Sequence, residues 1–300
     1  MDRFNVYKDM KARTNGEIYI GVVGPVRTGK STFIKRFMNL MVLPNIEDEN
    51  DRNRANDELP QSSSGKTIMT TEPKFVPNEA VLIKTEEGIE LNVRLIDCVG
   101  YMVEGATGHM EGEEERLVKT PWFDYEIPFT KAAAIGTKKV ITEHSTIGMV
   151  VTCDGSFGEI AAKQYESAEE ETIKQLKALK KPFVVLLNTI HPYSESTKQL
   201  AAEKEEKYQT KVLPMNLEQM KKEDIYEILK SVLMEFPISS IGFYVPRWTE
   251  MLKKDHPLKM ELLQMARDVI TEKTTMKDIY EEQEKEYEYI TGQKLESVAM

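Results

Sequence analysis

Cysteine is nearly absent. The chain has two in 300 residues, Cys98 and Cys153. Both lie in segments that read as the ends of buried strands, so they are expected as free thiols, and a disulfide framework is excluded as an organising principle. Histidine is scarce as well. His109, His144, His191 and His256 are scattered, with no metal-ligand spacing to either cysteine, so no zinc site is expected. No apolar run approaches the roughly 20 residues that span a bilayer. The amino-terminal stretch MDRFNVYKDMKART lacks the apolar core of a secretion signal. Positive charge is in deficit, with a formal net charge of -10. Such a chain repels phosphate backbones at long range, so no nucleic-acid partner is expected. These absences together lead us to expect a cytoplasmic protein that reaches a membrane surface only indirectly.

What is present has an ordinary globular balance, 40% hydrophobic and 30% charged. The length allows one large domain and a smaller one. Residues 1–16 read as a short amphipathic helix ending at Gly16. EIYIGVV (17–23) is an apolar, β-branched run typical of a buried parallel strand. TFIKRFMNLMVL (32–43) carries Phe33, Phe37 and Leu40 at helical spacing, with Pro44 as its terminator. Residues 45–66 are polar and read as a mobile loop or insertion. TEPKFVP with AVLIKT, then ELNVRLIDCVG, are strand candidates, with TEEG as the turn between them. Residues 101–130 read as irregular.

From KAAAIGTKKVITEHS onward, helices alternate with the buried strands STIGMVVTCDG, KPFVVLLN and TKVLPMN. ESAEEETIKQLKALKK reads as a helix with an acidic start and a basic end, matching the helix dipole. KEDIYEILKSVLMEF closes the unit. Alternation of this kind predicts an α/β fold with a mostly parallel sheet covered on both faces. The texture changes at Pro237, where a second, mostly helical region begins. We expect domains at 1–240 and 241–300. No closing element is evident at the end, so the natural protein is expected to continue.

The phosphate-loop pattern G-x-x-x-x-G-K-[ST] is met by Gly24, Gly29, Lys30 and Ser31, with Pro25, Val26, Arg27 and Thr28 between. Four fixed positions match by chance in about 1 of 100 such chains. Here they also fall between a buried strand and an amphipathic helix, as the chemistry requires. The glycines let backbone N–H groups face phosphates, and the helix adds its positive dipole end. Lys30 is expected on the β- and γ-phosphates, and Ser31 on Mg²⁺. Asp97 ends the apolar strand VRLID and is expected in the Mg²⁺ shell. With Gly100 it forms the Asp-x-x-Gly of GTPase-like proteins, whose glycine N–H senses the γ-phosphate. Between these motifs lies TIMTTEP, where a threonine closing on metal and γ-phosphate is expected. Thr70 or Thr71 fits, one on the metal and one near the attacking water. The fold expected from these motifs is a P-loop NTPase of GTPase-like (TRAFAC) type.

The base-reading motif departs from that type. GTPases follow the matching strand with Asn-Lys-x-Asp, whose aspartate accepts from guanine. Here the strand leads into Asn188-Thr189-Ile190-His191. The asparagine is kept as a nucleotide-site candidate, but a histidine cannot reproduce the paired acceptor. A buried mismatch of that kind costs about 10⁴ in discrimination, so ATP is the expected substrate. Tyr101 stands where Ras-like enzymes orient water with glutamine, so slow turnover is expected.

On longer segments, the chain resembles the stage IV sporulation protein A family. These include IYIGVVGPVRTGKSTFIKRFM, SSSGKTIMTTEPKFVP, VRLIDCVGYMVEGA, IPFTKAAAIGTKKVITEHSTIGMVVTCDGSFG and FPISSIGFYVPRW. The resemblance runs through the whole sequence. It implies an ATPase derived from translation-factor-type GTPases, whose ATP hydrolysis drives self-assembly into a stable filamentous basal layer of the endospore coat. It places that layer in the mother-cell cytoplasm, on the outer forespore membrane. It further implies recruitment by a small amphipathic membrane peptide, binding of other coat proteins, and a C-terminal region that this sequence lacks.

Overall fold

The computed structural model describes residues 6–60, 72–84, 90–111, 114–157, 160–238, 243–272 and 274–280. The chain divides into two compact units, Met1–Leu233 and Met234–Met300.

The first unit is built on a six-stranded sheet. After helix α1 (Val6–Thr14) comes β1 (Glu17–Val23), followed by the loop to α2 (Lys30–Phe37). A π turn (Met38–Val42) and a 3-10 turn (Leu43–Asn45) continue α2. Pro44 therefore sits inside the last turn instead of stopping the helix before it. It falls early in the 3-10 turn, and the helical path ends one residue later, at Asn45.

Residues 45–66, expected as loop, contain helix α3 (Glu49–Asp57). Asp48 caps it by accepting from the N–H groups of Asn50 and Asp51 at 2.8 and 2.9 Å. Its one buried residue is Ala55, so no apolar stripe announced it.

Strand β2 (Lys74–Lys84) pairs antiparallel with β3 (Glu90–Asp97), with a register shift between Val76 and Val81. The TEEG turn lies outside the described residues. Residues 101–130 are more ordered than expected. They form β4 (Met110–Glu111) paired with β5 (Glu114–Glu115), then β6 (Leu117–Thr120) paired with β7 (Phe123–Pro128). Strands this short, with exposed side chains, carry no apolar alternation to read.

The remainder of the first unit alternates as expected. Helix α4 (Phe129–Lys139) and a π turn lead to β8 (Ile147–Cys153), buried along its whole length. Helix α5 (Ala162–Ala178), β9 (Phe183–Asn188), α6 (Glu195–Tyr208), β10 (Val212–Met215) and α7 (Lys222–Met234) follow. Because α5 starts at Ala162, its first turn has no acidic residue. The acids at 166–171 lie deeper in the helix, so they do not complement the dipole at its start. The sheet order is β10-β9-β8-β1-β3-β2, parallel except for β2. Three parallel strands, β1, β3 and β8, carry their C-terminal ends to one edge of the sheet, where an open α/β sheet places its ligand site.

Within the second unit, the Ile238 N–H donates to Thr274 at 3.0 Å and the Met276 N–H to Phe236 at 3.0 Å. A 3-10 turn (Arg247–Met251) precedes α8 (Pro257–Glu272) and α9 (Met276–Tyr280). Among the described residues, no helix is long and apolar enough to cross a membrane.

Candidate functional site

Strand β1 ends at Val23 and the chain turns through Gly24–Ser31 into α2. Two glycines make that path possible. Gly24 has φ 127°, and a Cβ there would lie 2.4 Å from the Val151 carbonyl on β8. Gly29 has φ 101°, and a Cβ there would lie 2.5 Å from the Asn188 amide. Gly29 is also the N-cap of α2 and offers no side-chain acceptor, so the first-turn N–H groups are left uncapped by it. That is the arrangement that receives an anion.

Lys30 is buried, and its ammonium donates to the carbonyls of Pro25 at 2.5 Å and Gly24 at 3.4 Å. Burial pushes its pKa down, against the pull of Cys98 and Asp97. Asp97, at the end of β3, is brought to the loop because β3 lies beside β1, with Val22 opposite Asp97. Ser31 Oγ donates to Asp97 Oδ2 at 3.3 Å. Asp97 Oδ1 is buried and has no partner. The residue keeps some exposed surface, yet its carboxyl is desolvated, which pushes its pKa up to about 6 despite Lys30 and Ser31. A hydroxyl and a carboxylate with one unused oxygen form a hard-oxygen donor pair that fits Mg²⁺, an ion bound with one or two protein ligands plus phosphates and water. Among the described residues no group of three or more His, Cys, Asp or Glu could hold a metal.

Gly100 completes the cluster. It has φ 94°, and a Cβ there would lie 2.2 Å from the Gly24 carbonyl and 2.6 Å from Lys30 Nζ. The next residue is tied to the same loop, since the Val26 N–H donates to the Tyr101 carbonyl at 2.9 Å. The Tyr101 ring packs with Val26, Val103, Ala106, Cys153 and Tyr165. Its hydroxyl, pushed up to about 12 by burial, lies beside Gln175 and Glu171 of α5. The structure thus brings together Gly24–Ser31, Asp97 and Gly100. Thr70 and Thr71 lie outside the described residues.

Asn188 has a role the sequence reading did not assign. Its amide donates to the Thr28 carbonyl at 3.0 Å, and its oxygen accepts from the Leu217 N–H at 3.3 Å. It is a strut joining the phosphate loop to the loops after β9 and β10. Its place at the end of a buried strand was the only sequence signal. Thr28 Oγ1 adds a bond to the Pro25 carbonyl at 3.0 Å. Beyond Asn188, the Ile190 N–H donates to Ser156 Oγ and the His191 N–H to Thr189 Oγ1, both at 3.1 Å, while His191 stays exposed. Cys98 and Cys153 are free and buried, and Cys98 Sγ donates to the Val22 carbonyl at 3.4 Å.

A strand, phosphate loop and helix beside an Asp-x-x-Gly at the end of the neighbouring strand define a P-loop nucleoside triphosphatase of GTPase-like type. Residues 1–237 match the family model described as stage IV sporulation protein A, ATPase domain, and residues 238–300 match the middle domain of the same protein. The chain belongs to the stage IV sporulation protein A family. It is 53% identical to stage IV sporulation protein A of Clostridioides difficile (strain 630), over 92% of this chain and 56% of that protein. It is 46% identical to that of Bacillus anthracis, over 100% of this chain and 61% of that protein, and 47% identical to that of Bacillus subtilis (strain 168), over 93% and 57%. The chain therefore spans roughly three-fifths of these relatives' length. Among solved structures, the crystal structure of the SsGBP and GDP complex is 12% identical with a TM-score of 0.40, over 74% of this chain and 56% of that one. That likeness is too distant to carry an argument.

Proposed function

We propose that this chain binds ATP with Mg²⁺ and hydrolyses it, and that hydrolysis drives self-assembly of the protein into a stable filamentous basal layer of the endospore coat. The observation that carries the reading is the meeting of Lys30, Ser31, Asp97 and Gly100 at the C-terminal edge of β1 and β3, in a chain whose first 237 residues match an ATPase domain.

The first-turn N–H groups of α2 and the Lys30 ammonium bind the β- and γ-phosphates. For this Lys30 leaves the carbonyls of Gly24 and Pro25, which are its internal substitutes for phosphate oxygens. Ser31 and Asp97 would hold Mg²⁺, which would supply positive charge to neutralise the phosphates. Gly100 backs closely onto Lys30, and its N–H would donate to the γ-phosphate. Thr70 or Thr71 would meet the metal and the attacking water. Asn188 acts by fixing the loop, and His191 leaves guanine without its paired acceptor, which favours ATP. The packed Tyr101 ring gives no water-orienting group, so turnover is slow.

Membership of the family supports the reading that the assembly forms in the mother-cell cytoplasm at the outer forespore membrane surface. Its partners would be copies of itself, a small amphipathic membrane-associated peptide and other coat proteins. The -10 net charge argues against nucleic acid. A GTPase acting in ribosome assembly and a non-hydrolysing scaffold are the rivals. The test is nucleotide-dependent sedimentation of the full-length relative with phosphate release measured alongside. Sedimentation and release that rise together with ATP are expected. Phosphate release without sedimentation would reject the assembly role, and equal sedimentation without ATP would reject the coupling.

A further inference from the structure

Four non-glycine residues among those described have positive φ: Asn15, Arg27, Lys180 and Gln209. Three of them follow the ends of α1, α5 and α6, where a left-handed residue is the ordinary way to close a helix. Arg27 follows no helix. It sits in the middle of the phosphate loop at φ 62°, a conformation that costs an L residue of this size about 1 kcal/mol or more and that glycine or asparagine would adopt more cheaply. A loop that needed only its backbone N–H groups would have no use for arginine there. The backbone on either side is over-determined, by Val26 N–H on Tyr101, by Thr28 Oγ1 on Pro25 and by Asn188 on Thr28.

Arg27 is also the exposed residue of the loop, while its neighbours from Gly24 to Thr28 are buried. Its guanidinium donates to Thr107 Oγ1 at 3.2 Å. Thr107 lies just beyond Gly100, between Gly105 (φ 85°) and Gly108 (φ 101°), two positions where the backbone can rearrange. An arginine thus stands at the rim of the phosphate site with the Thr107 hydroxyl among its partners, on the segment that the γ-phosphate addresses through Gly100. Lys30 serves the ground-state phosphates, and the water-orienting position holds the packed Tyr101. The remaining need is a cation for charge that develops during transfer.

We propose that Arg27 is a catalytic residue supplied in cis, which leaves Thr107 to bind the transferring phosphoryl group of ATP in the transition state. This rests on the proposed ATP hydrolysis. In that step a water oxygen bonds to the γ-phosphorus and the bond from that phosphorus to the β,γ-bridging oxygen breaks. The electron pair passes to the bridging oxygen, which leaves on ADP, and the water's proton ends on the released phosphate. Negative charge gathers on the bridging and γ oxygens. The planar guanidinium keeps its proton throughout and can donate to two of those oxygens at once.

The test compares the 300-residue chain with Arg27→Ala, Arg27→Gly and Thr107→Val. Single-turnover ATP hydrolysis, ATP affinity, ADP–aluminium fluoride trapping and thermal melting are measured on each. Failure of the parent chain to hydrolyse ATP would sink the proposed function itself, before any variant is compared. Given a working parent, Arg27→Ala and Arg27→Gly are expected to lose about 100-fold or more in rate. ATP affinity is expected to stay within about 3-fold, since a group acting only in the transition state leaves ground-state binding intact. Trapping of ADP with aluminium fluoride is expected to vanish while ADP alone still binds. Thr107→Val is expected to turn over at least as fast as the parent. Arg27→Gly keeps the fold testable, because it relieves the left-handed strain. If Arg27→Gly hydrolyses and traps like the parent, the arginine is only a rim tether and the proposal is wrong. A fall in ATP affinity equal to the fall in rate would likewise overturn it.

Discussion

The Asn188 amide donates to the Thr28 carbonyl at 3.0 Å and so locks the end of β9 to the phosphate loop. With its oxygen on the Leu217 N–H, the side chain satisfies two buried backbone groups. Asn188→Ala leaves both without a partner and is expected to cost about 2–3 kcal/mol of stability. ATP affinity is expected to fall roughly tenfold, because the loop must be reordered on binding. Urea unfolding and fluorescent-nucleotide titration measure the two effects. Unchanged affinity would show that the loop keeps its shape without the strut.

Gly100 is the tightest point of the site. Its φ of 94° and the 2.2 Å from a hypothetical Cβ to the Gly24 carbonyl leave no room for a side chain. Gly100→Ala is expected to destabilise by about 3 kcal/mol or more, and to push Lys30 from its place, so ATP binding falls with it. A thermal melt and an ATP titration on the same sample check this. A variant that melts like the parent would mean the Asp-x-x-Gly segment is free to move away.

What the sequence made legible was local. The strand, loop and helix of the phosphate site, and Asp97 with Gly100, are contiguous motifs whose backbone demands specify their residues. The parallel sheet was legible because β1, β8 and β9 are near-continuous apolar runs. Helix α3 was not, since charged residues surround a single buried Ala55. The β4–β7 ladders were not, because strands of two to six residues leave no period. The Asn188–Thr28 and Arg27–Thr107 bonds join residues 160 and 80 positions apart. Nothing short of the folded sheet could announce such contacts.

Burial pushes the Asp97 carboxyl up to about 6, above the ordinary carboxylate value. A folded pKa above the unfolded one means the folded protein holds a proton that the unfolded chain has released. That contribution to stability is full below about pH 4 and is lost as the pH rises to about 6. Mg²⁺ needs the carboxylate, so metal and proton compete. The gain in ATP affinity on adding Mg²⁺ is expected to be full above pH 7 and to shrink below pH 6, by at most about tenfold per unit. ATP titrations with and without Mg²⁺ from pH 5 to 8 measure it. The nucleotide's own phosphates titrate in this window, so the reading is the difference from Asp97→Asn. Identical profiles for the two proteins would remove Asp97 from the metal shell.

Glu169 is fully buried on α5, accepting from Thr152 of β8 and paired with Lys204 of α6 at 2.6 Å. Removing one partner strands a buried charge, so Glu169→Ala is expected to cost about 3–5 kcal/mol. Replacing both Glu169 and Lys204 with Met is expected to recover most of that loss, since well-packed apolar residues serve a buried site as well as an ion pair does. Neither change touches the phosphate loop, so ATP affinity at low denaturant should stay near that of the parent. Urea midpoints for the three proteins decide it. A double variant no better than Glu169→Ala would show that the pair does more than neutralise itself.

Discrimination of the base tests the site at its far end. The chain Asn188-Thr189-Ile190-His191 places an exposed histidine where a guanine-reading carboxylate would stand, and Asn188 is already engaged with Thr28 and Leu217. Thr189 cannot substitute, since it is buried and accepts from the His191 N–H. Guanine would therefore bring two donors, its N1–H and exocyclic amine, to a rim without a paired acceptor, and each unmet donor costs about 1–3 kcal/mol. ATP should be favoured over GTP by tenfold or more in competition for the same site. His191→Asp restores a carboxylate, with an acceptor oxygen for each guanine donor, at an exposed position, and it should move the ratio toward GTP while leaving thermal stability unchanged. Competition titrations with unlabelled GTP and ATP on the parent and the variant read the ratio directly. GTP displacing bound ATP at equal or lower concentration in the parent would show that guanine is met by groups other than the loop after β9, and the assignment of ATP as substrate would fall with it.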